Sequence, residues 1–157
     1  IPSKTVVGQG YSSRIDIEIL NYGIHNELFT VTVYANETVI ATQAITLAMR
    51  TSTTISFIWN TLAFAKSNYT IKATADTLLG ELDTTDNTYV DSIVLVSIPG
   101  DVNGDRKVDM VDIVQLILRF NSKLGSSGYE PNCDINCDGK IDMQDIVIAI
   151  LHFNQKW

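Results

Sequence analysis

Two twelve-residue windows near the C-terminal end carry oxygen-bearing side chains at matching positions. In residues 101–112 and 134–145, positions 1, 3, 5, 9 and 12 are all aspartate or asparagine. They are Asp101, Asn103, Asp105, Asp109 and Asp112, then Asp134, Asn136, Asp138, Asp142 and Asp145. Carboxylates at this spacing repel one another unless a cation lies among them, and alternate loop residues can converge on one point. Each window therefore predicts a site for a hard divalent cation.

The spacing is that of an EF-hand calcium loop, in which position 7 adds a backbone carbonyl, here from Lys107 and Lys140. No cysteine, histidine or methionine occupies a ligand position, which argues against zinc and copper. The alternative is that these residues form turns that cap helices, because aspartate and asparagine are good N-caps. Two copies in register favour calcium, and we expect two Ca²⁺ ions.

Two departures from the usual loop bear on affinity. Position 12 is aspartate in both loops, where an EF-hand has glutamate, so the carboxylate is one methylene shorter. Position 6 is Gly139 in the second loop but Arg106 in the first. This position normally takes a positive φ, which strains a residue with a Cβ by about 1 kcal/mol. We therefore expect weaker binding at the first site.

Each loop continues into an apolar segment with helical spacing, and the whole unit occurs twice, with Asp101 aligned to Asp134. Residues 98–100 (Ile-Pro-Gly) and the segment 125–131 leave no room for a helix before either loop. Tandem loop–helix units with aspartate at position 12, and a spacer bearing Tyr129 and Pro131, resemble a dockerin over 101–157. The resemblance implies a non-catalytic module that docks in a calcium-dependent manner onto a cohesin domain, in cellulosomes or on prokaryotic surfaces.

Helical phase divides the apolar residues of each predicted helix into two stripes. One stripe holds Ile113, Leu116, Ile117 and Phe120, repeated as Ile146, Ala149, Ile150 and Phe153. The other side of each helix, with its first residues, is the predicted partner surface: Met110, Val111, Val114 and Leu118, with Met143, Gln144, Val147, Ile148 and Leu151. Two helices can bury only one such face between them, and an exposed apolar stripe usually marks an interface. The alternative is that one helix packs its stripe on the preceding domain.

Residues 1–98 alternate apolar and polar side chains with period two and are rich in threonine, valine and isoleucine. The alternating runs include 14–20, 29–34, 55–59 and 69–73, separated by turn-like segments. About seven short strands at this spacing predict an antiparallel immunoglobulin-like β-sandwich. The predicted fold class is therefore a two-domain chain, with an all-β sandwich followed by a small α-helical, EF-hand-like domain.

The sandwich resembles CARDB, a cell-adhesion-related repeat of prokaryotic surface proteins, and is comparable to an X-module. The resemblance covers nearly all of 1–98 and depends on five segments: 15–23 ending in Asn-Tyr-Gly, 29–34, 56–59, 69–73 and 86–88. It implies fold and surface location rather than chemical activity. We place the domain boundary between 98 and 99, with the dockerin over 99–157, and expect a short hinge there and contact between the two domains.

Composition excludes several classes of protein. The chain has 157 residues, 45 % apolar and 18 % charged, which suits a soluble, core-forming protein. A net charge of −7 disfavours nucleic acid as a partner, and the apolar runs are too short for a membrane span. No signal segment begins at Ile1, and we interpret the chain as the C-terminal part of a longer one. Cys133 and Cys137 could form a local disulfide in a secreted protein or remain free thiols.

No arrangement of His25, His152 or the acidic side chains predicts catalysis, so we do not expect an enzyme. The predicted function is a calcium-dependent module that anchors a secreted or cell-surface protein to a cohesin. The alternatives are a calcium-stabilised surface spacer, or a carbohydrate-binding fragment of a larger hydrolase that uses Trp59, Tyr69 or Tyr89. We predict that Trp59 lies in the core, because it is in phase with Ile55 and Phe57.

Overall fold

A computed structural model describes residues 1–157, and residues 6–97 of it form two β-sheets. The strands are β1 (Val6–Gly8), β2 (Ser12–Leu20), β3 (Glu27–Ala35), β4 (Thr38–Leu47), β5 (Ser52–Asn60), β6 (Ser67–Ala75) and β7 (Thr88–Ser97). One sheet has the order β1-β7-β6-β3-β4, and the other consists of β2 and β5. Every pair is antiparallel except β1 with β7. The predicted fold class is confirmed, with one parallel pair that the alternation does not reveal.

The inward positions of the predicted runs fill the sandwich core, as period-two alternation requires. Ile15, Val33 and Ile71 are buried, as are the three inward residues of β5. Trp59 is fully buried, and its ring meets Phe64 and Tyr69 edge to face, with centroid distances of 5.2 and 5.7 Å. The prediction that Trp59 lies in the core is confirmed, which removes it as a platform for carbohydrate.

The C-terminal region contains two short helices and two short strands. They are α1 (Met110–Leu118), β8 (Ser122–Lys123), β9 (Lys140–Ile141) and α2 (Met143–Leu151). No α-helix precedes either loop, as predicted, but a three-residue 3₁₀ turn, Pro131–Cys133, comes directly before the second. Pro131 begins this turn because its fixed φ suits a first helical position. Neither helix is long and apolar enough to cross a membrane.

Each loop pairs with the segment that follows the other loop's helix. In the first half of the repeat, β8 follows α1 and pairs with β9 in the second loop. In the second half, Lys156 follows α2 and forms a bridge with Lys107 in the first loop. Asn121 and Asn154 occupy equivalent turns at the helix ends, both with φ of 63°, a conformation that asparagine tolerates. The two halves therefore form one interlocked unit.

The short linker, where a hinge is expected, is closely packed against both parts of the chain. Ile98 is only 2 % exposed and belongs to the core of the C-terminal region. A Cβ built on Gly8 would lie 2.6 Å from the Cα of Pro99, and one built on Gly100 would lie 2.6 Å from the Cα of Ala149. Close backbone packing on both sides holds these residues in place, and Gly100 also takes a φ of 101°.

Side chains from both parts of the chain form the interface between them. Lys4 is 3 % exposed, and its Nζ donates to the backbone carbonyls of Asp134 and Ile135. The Oδ1 of Asn132 accepts hydrogen bonds from the amides of Thr5 and Val6, at 3.0 and 3.2 Å. The sandwich therefore contacts the second loop and the turn before it, in accord with the expected contact between the two parts.

Substituting Asn132 should loosen this interface. Its Nδ2 also donates to the Oγ1 of Thr5 at 2.9 Å, so Asn132→Ala removes several hydrogen bonds at once. We expect a loss of about 1–2 kcal/mol in the free energy of unfolding, with faster hydrogen exchange at the amides of Thr5 and Val6. Asn68→Ala, on an exposed side chain of β6, is the matched control. Equal stability of the two variants in chemical denaturation would contradict this role.

Candidate metal centre

Backbone amides hold the first and last carboxylates of loop 1. The Oδ1 of Asp101 accepts hydrogen bonds from the amides of Gly104 (2.8 Å) and Asp105 (3.1 Å), and its Oδ2 accepts one from Arg106 (2.9 Å). Asp112 accepts from the amides of Val102 and Asn103 through Oδ1 and from that of Asp109 through Oδ2. Both side chains are almost fully buried, so the loop is wrapped around them.

Loop 2 repeats this arrangement in the second half of the repeat. The Oδ1 of Asp134 accepts from the amide of Asp138 at 3.1 Å, and its Oδ2 accepts from that of Gly139 at 2.9 Å. Asp145 accepts from the amides of Ile135 (2.7 Å) and Asp142 (2.9 Å). The equivalence extends to the backbone, because positions 4 and 6 have positive φ in both loops.

The helix-capping alternative describes positions 9 and 12 correctly. Asp109 and Asp142 are the N-caps of α1 and α2, and each accepts a hydrogen bond from the amide two residues later at 2.8 Å. Asp112 and Asp145 in turn accept a hydrogen bond from the backbone amide of the cap residue, which completes a capping box. Capping and metal binding are compatible, since a carboxylate accepts more than one partner.

The chemical types of the predicted ligands fit calcium, but the side chains do not converge on a common point. No group of three or more acidic, histidine or cysteine side chains is arranged so that it could hold a metal ion. The carboxylates at positions 1 and 12 turn to backbone amides instead. Every predicted side-chain donor is nevertheless an oxygen of aspartate or asparagine, which is the chemistry that Ca²⁺ requires. The residues therefore fit calcium chemically, and the ligand set stays a prediction.

Burial shifts the titration of several groups in and around the loops. It raises the pKa of Asp101 and of Asp145, although hydrogen bonds to their charged forms oppose the shift. Burial also raises the pKa of the Tyr129 hydroxyl, and the hydrogen bond to Asp134 adds to this. Burial lowers the pKa of Lys4, although the attraction of nearby acidic groups, which include Asp134, opposes this shift. A bound cation would favour the charged carboxylates and offset their desolvation.

The two loops differ in the residue at position 6 and in the ion pairs of the lysine at position 7. Arg106 takes a φ of 70°, where Gly139 has 86°, so the predicted positive φ is present in both. The guanidinium of Arg106 lies 5.3 Å from the ring centre of Trp157. The Nζ of Lys107 lies 3.1 Å from Asp105 and 3.7 Å from Asp109, and the hydrogen bond to Asp105 raises the pKa of Lys107. A resident ammonium group is a second reason to expect weaker calcium binding in loop 1.

Substitutions at position 6 should change the calcium affinities of the two loops by different amounts. Gly139→Arg introduces about 1 kcal/mol of backbone strain and should weaken calcium binding at the second site about five-fold. Arg106→Gly relieves the same strain but loses the contact with Trp157, which offsets part of the gain. We therefore expect tightening of less than about five-fold at the first site. Calorimetry that gives the same two affinities for parent and variants would refute the strain argument.

The structure has Cys133 and Cys137 as free thiols. Cys133 is buried, and burial raises its pKa to about 12, which makes it unreactive. Cys137 occupies position 4 of loop 2 with a φ of 63°. It is the counterpart of Gly104, whose φ is 78°. The left-handed conformation at position 4 was not predicted, because cysteine gives no signal for it.

The outer faces of both helices are apolar and uncovered. Of the predicted partner residues, Met110, Val111, Val114, Leu118, Met143, Gln144, Val147 and Leu151 are exposed. Ile148 is only partly exposed, because it packs against the C-terminal core, and its contact with a partner stays a prediction. Neither helix lies among the interface contacts to the sandwich described above. The alternative that one helix packs its stripe there is not what the structure shows.

The predicted buried stripe is only half correct. Ile113 and Leu116 are buried, whereas Ile117 is 56 % exposed and Phe120 is 48 % exposed. At about 100° per residue, Ile117 lies closer to Met110 than to Leu116 around the helix. Each helix has only nine residues, and loop residues such as Val108 and Ile141 fill much of the core instead. We call the resulting set the outer stripes: Met110, Val111, Val114, Ile117 and Leu118 on α1, and Met143, Val147, Ile150 and Leu151 on α2.

Three side chains that touch the loops were not predicted as site residues. Ser97 donates through its hydroxyl to the Oδ2 of Asp101 and accepts from the Nε1 of Trp157 at 3.1 Å. Tyr129 donates to the Oδ2 of Asp134 at 2.5 Å. The ammonium of Lys4 contacts the same loop, as described above. These groups come from outside the twelve-residue windows, so loop spacing carries no information about them.

Comparison with known proteins supports both parts of the assignment. The family model "Dockerin type I domain" matches residues 99–154, and the CARDB family model matches 2–91, more than half of the chain. A crystal structure of a CARDB domain from Pyrococcus furiosus, in complex with di-metal ions, is 23 % identical with a TM-score of 0.53. The alignment covers 60 % of this chain and 86 % of that one.

A solution structure of that same archaeal domain gives 24 % identity and a TM-score of 0.51, over 58 % of this chain and 84 % of that one. These likenesses show the fold of the sandwich. No curated protein matches the chain. The chain belongs to the CARDB family through its sandwich and carries a dockerin type I domain at its C-terminal end.

Proposed function

We propose that this chain anchors a secreted or cell-surface protein to a cohesin domain, in a calcium-dependent manner. A dockerin domain is a protein–protein interaction module, and both families are non-catalytic and occur in secreted or surface proteins. The observation that carries the proposal is the pair of uncovered outer stripes, which follow two loops of the same calcium-type pattern. Exposed apolar surface next to a metal-ordered loop is suited to a partner that binds only the ordered form.

Within this proposal, the two loops hold one Ca²⁺ ion each. Asp101, Asn103, Asp105, Asp109 and Asp112 would supply side-chain oxygens in loop 1, with the carbonyl of Lys107. Their counterparts at the same positions of loop 2 would do so there, with the carbonyl of Lys140. The bound ions would neutralise carboxylates that otherwise repel one another. The protein's own residues meanwhile keep the first turn of each helix capped, which holds the outer stripes in place.

The domain division belongs to the same proposal, with the sandwich over 1–98 and the dockerin over 99–157. The packed linker and the hydrogen bonds of Asn132 support a fixed arrangement of the two. In this arrangement the sandwich acts as a rigid base that leaves the outer stripes free. The same contacts are what the alternative function, a calcium-stabilised surface spacer, would require.

Direct binding measurements distinguish a module that binds a cohesin from a calcium-stabilised surface spacer. Cohesin domains encoded by the source organism are produced singly and titrated into the chain by calorimetry, once with calcium and once with chelator. We expect saturable one-to-one binding to at least one cohesin with calcium, and none with chelator. Failure of every cohesin to bind the calcium-loaded chain would contradict anchoring and leave the spacer as the better account.

A further inference from the structure

An open cleft lies between the two sheets at the end of the sandwich opposite the linker. Its volume is about 970 Å³, and its floor is apolar, with Ile17, Ile19, Phe29 and Val31 among the lining residues. The core thins here, because Ile15 on the same strand face is fully buried whereas Ile17 and Ile19 are only partly buried. A volume of this size is typical of ligand sites.

Six carboxylates and one histidine, His25, line the cleft. The lining includes Glu18, Glu27, Asp76, Glu81, Asp83 and Asp86 but no lysine or arginine. None of these six carboxylates belongs to an ion pair of the structure. Field lines from one sign of charge are concentrated in a cleft with low-dielectric walls. The cleft therefore complements a ligand that is apolar on one side and positively charged on the other.

One wall of the cleft is the second half of the outer edge of β2, which has no neighbouring strand. The first half of this edge pairs with the N-terminal residues: the amide of Ser3 donates to the carbonyl of Arg14, and that of Asp16 donates to the carbonyl of Ile1. Residues with even numbers on β2 therefore direct their backbone groups away from β5, because the two sides alternate along an antiparallel strand. Glu18 and Leu20 continue this edge, and no backbone hydrogen bond reaches them from that side.

We propose that this cleft binds an extended peptide segment with alternating apolar and basic side chains, which adds to β2 as a further strand. Its backbone would pair with the free groups of Glu18 and Leu20, as in other strand-addition complexes. Its apolar side chains would enter the cleft and its basic ones would face the acidic rim, since successive side chains of a strand point to opposite faces. The site lies on the sandwich and does not depend on cohesin binding.

Two synthetic peptides of about six residues test the proposal: one alternates valine and lysine, and the other alternates valine and glutamate. Each is titrated into the ¹⁵N-labelled full chain, and binding is followed by amide chemical shifts. We expect the lysine peptide to bind at least about ten-fold more tightly. At saturation, hydrogen exchange at the amides of Glu18 and Leu20 should slow at least about ten-fold.

Variants test whether the lysine peptide binds to the acidic residues of the cleft or is attracted by the negative charge of the whole protein. Glu27→Gln combined with Asp86→Asn removes two rim charges whose side chains make no hydrogen bond, and it should weaken the lysine peptide. Glu37→Gln, on a carboxylate that is 90 % exposed and outside the cleft, should not. Equal binding of the two peptides, or no shift in any cleft residue, would overturn the proposal. So would lysine-peptide binding that leaves exchange at Glu18 and Leu20 unchanged.

Discussion

Placing charge on the outer stripes is expected to abolish cohesin binding while the calcium-loaded fold survives. Three lysines on each helix would interrupt the exposed apolar surface, and truncating a single hot-spot residue at an interface centre costs about 2 kcal/mol or more. We therefore expect affinity to fall by about 100-fold or more when the helix that is used carries the changes. The two triple variants are Val111→Lys, Val114→Lys and Leu118→Lys on α1, and Met143→Lys, Val147→Lys and Leu151→Lys on α2.

All six positions are exposed, so the variants should fold and bind calcium like the parent. The matched control is Val39→Lys with Ile58→Lys, which adds charge at exposed apolar positions of the sandwich. Calorimetry with the same cohesin measures each variant. Loss with only one triple variant would assign binding to that helix. If both triple variants bind as well as the parent, the docking surface lies elsewhere.

Chelation should unfold the C-terminal region and leave the sandwich intact. Eight aspartates lie within the two loops, and two Ca²⁺ ions would cancel four of the seven excess negative charges. The C-terminal core has only ten buried residues, and so small a unit has little stability to oppose the repulsion. We expect the helical signal in far-UV circular dichroism to disappear in excess chelator and to return when calcium is restored.

The two tryptophans report on the two parts separately. Trp59 is fully buried in the sandwich, whereas Trp157 contacts loop 1 through Arg106. Chelation should therefore change the fluorescence of the parent but leave that of Trp157→Phe nearly constant, because Trp59 stays in its core. An unchanged helical signal in excess chelator would contradict coupling of metal binding to folding. A fluorescence change of equal size in Trp157→Phe would show that the sandwich unfolds as well.

Local sequence patterns were sufficient for the strands and for the loops. Burial on one face of a sheet requires period-two alternation, so runs such as the one from Ile55 to Trp59 identified the core directly. A loop that wraps carboxylates needs them at fixed offsets, and the same offsets occur from Asp101 and again from Asp134. Even the positive φ of Arg106 followed from its position in the loop, because backbone conformation there depends on near neighbours.

Contacts between distant segments were decided only by the tertiary structure. Pro99 and Gly100 are typical of a flexible hinge in sequence, but packing against Gly8 and Ala149 holds them in place. Ile117 is an isoleucine like the core residue Ile113 and lies about 40° from it around the helix. It is exposed because loop residues, not helix residues, fill most of that core. Such outcomes depend on which surfaces of distant segments meet, and the local pattern of a short helix does not specify that.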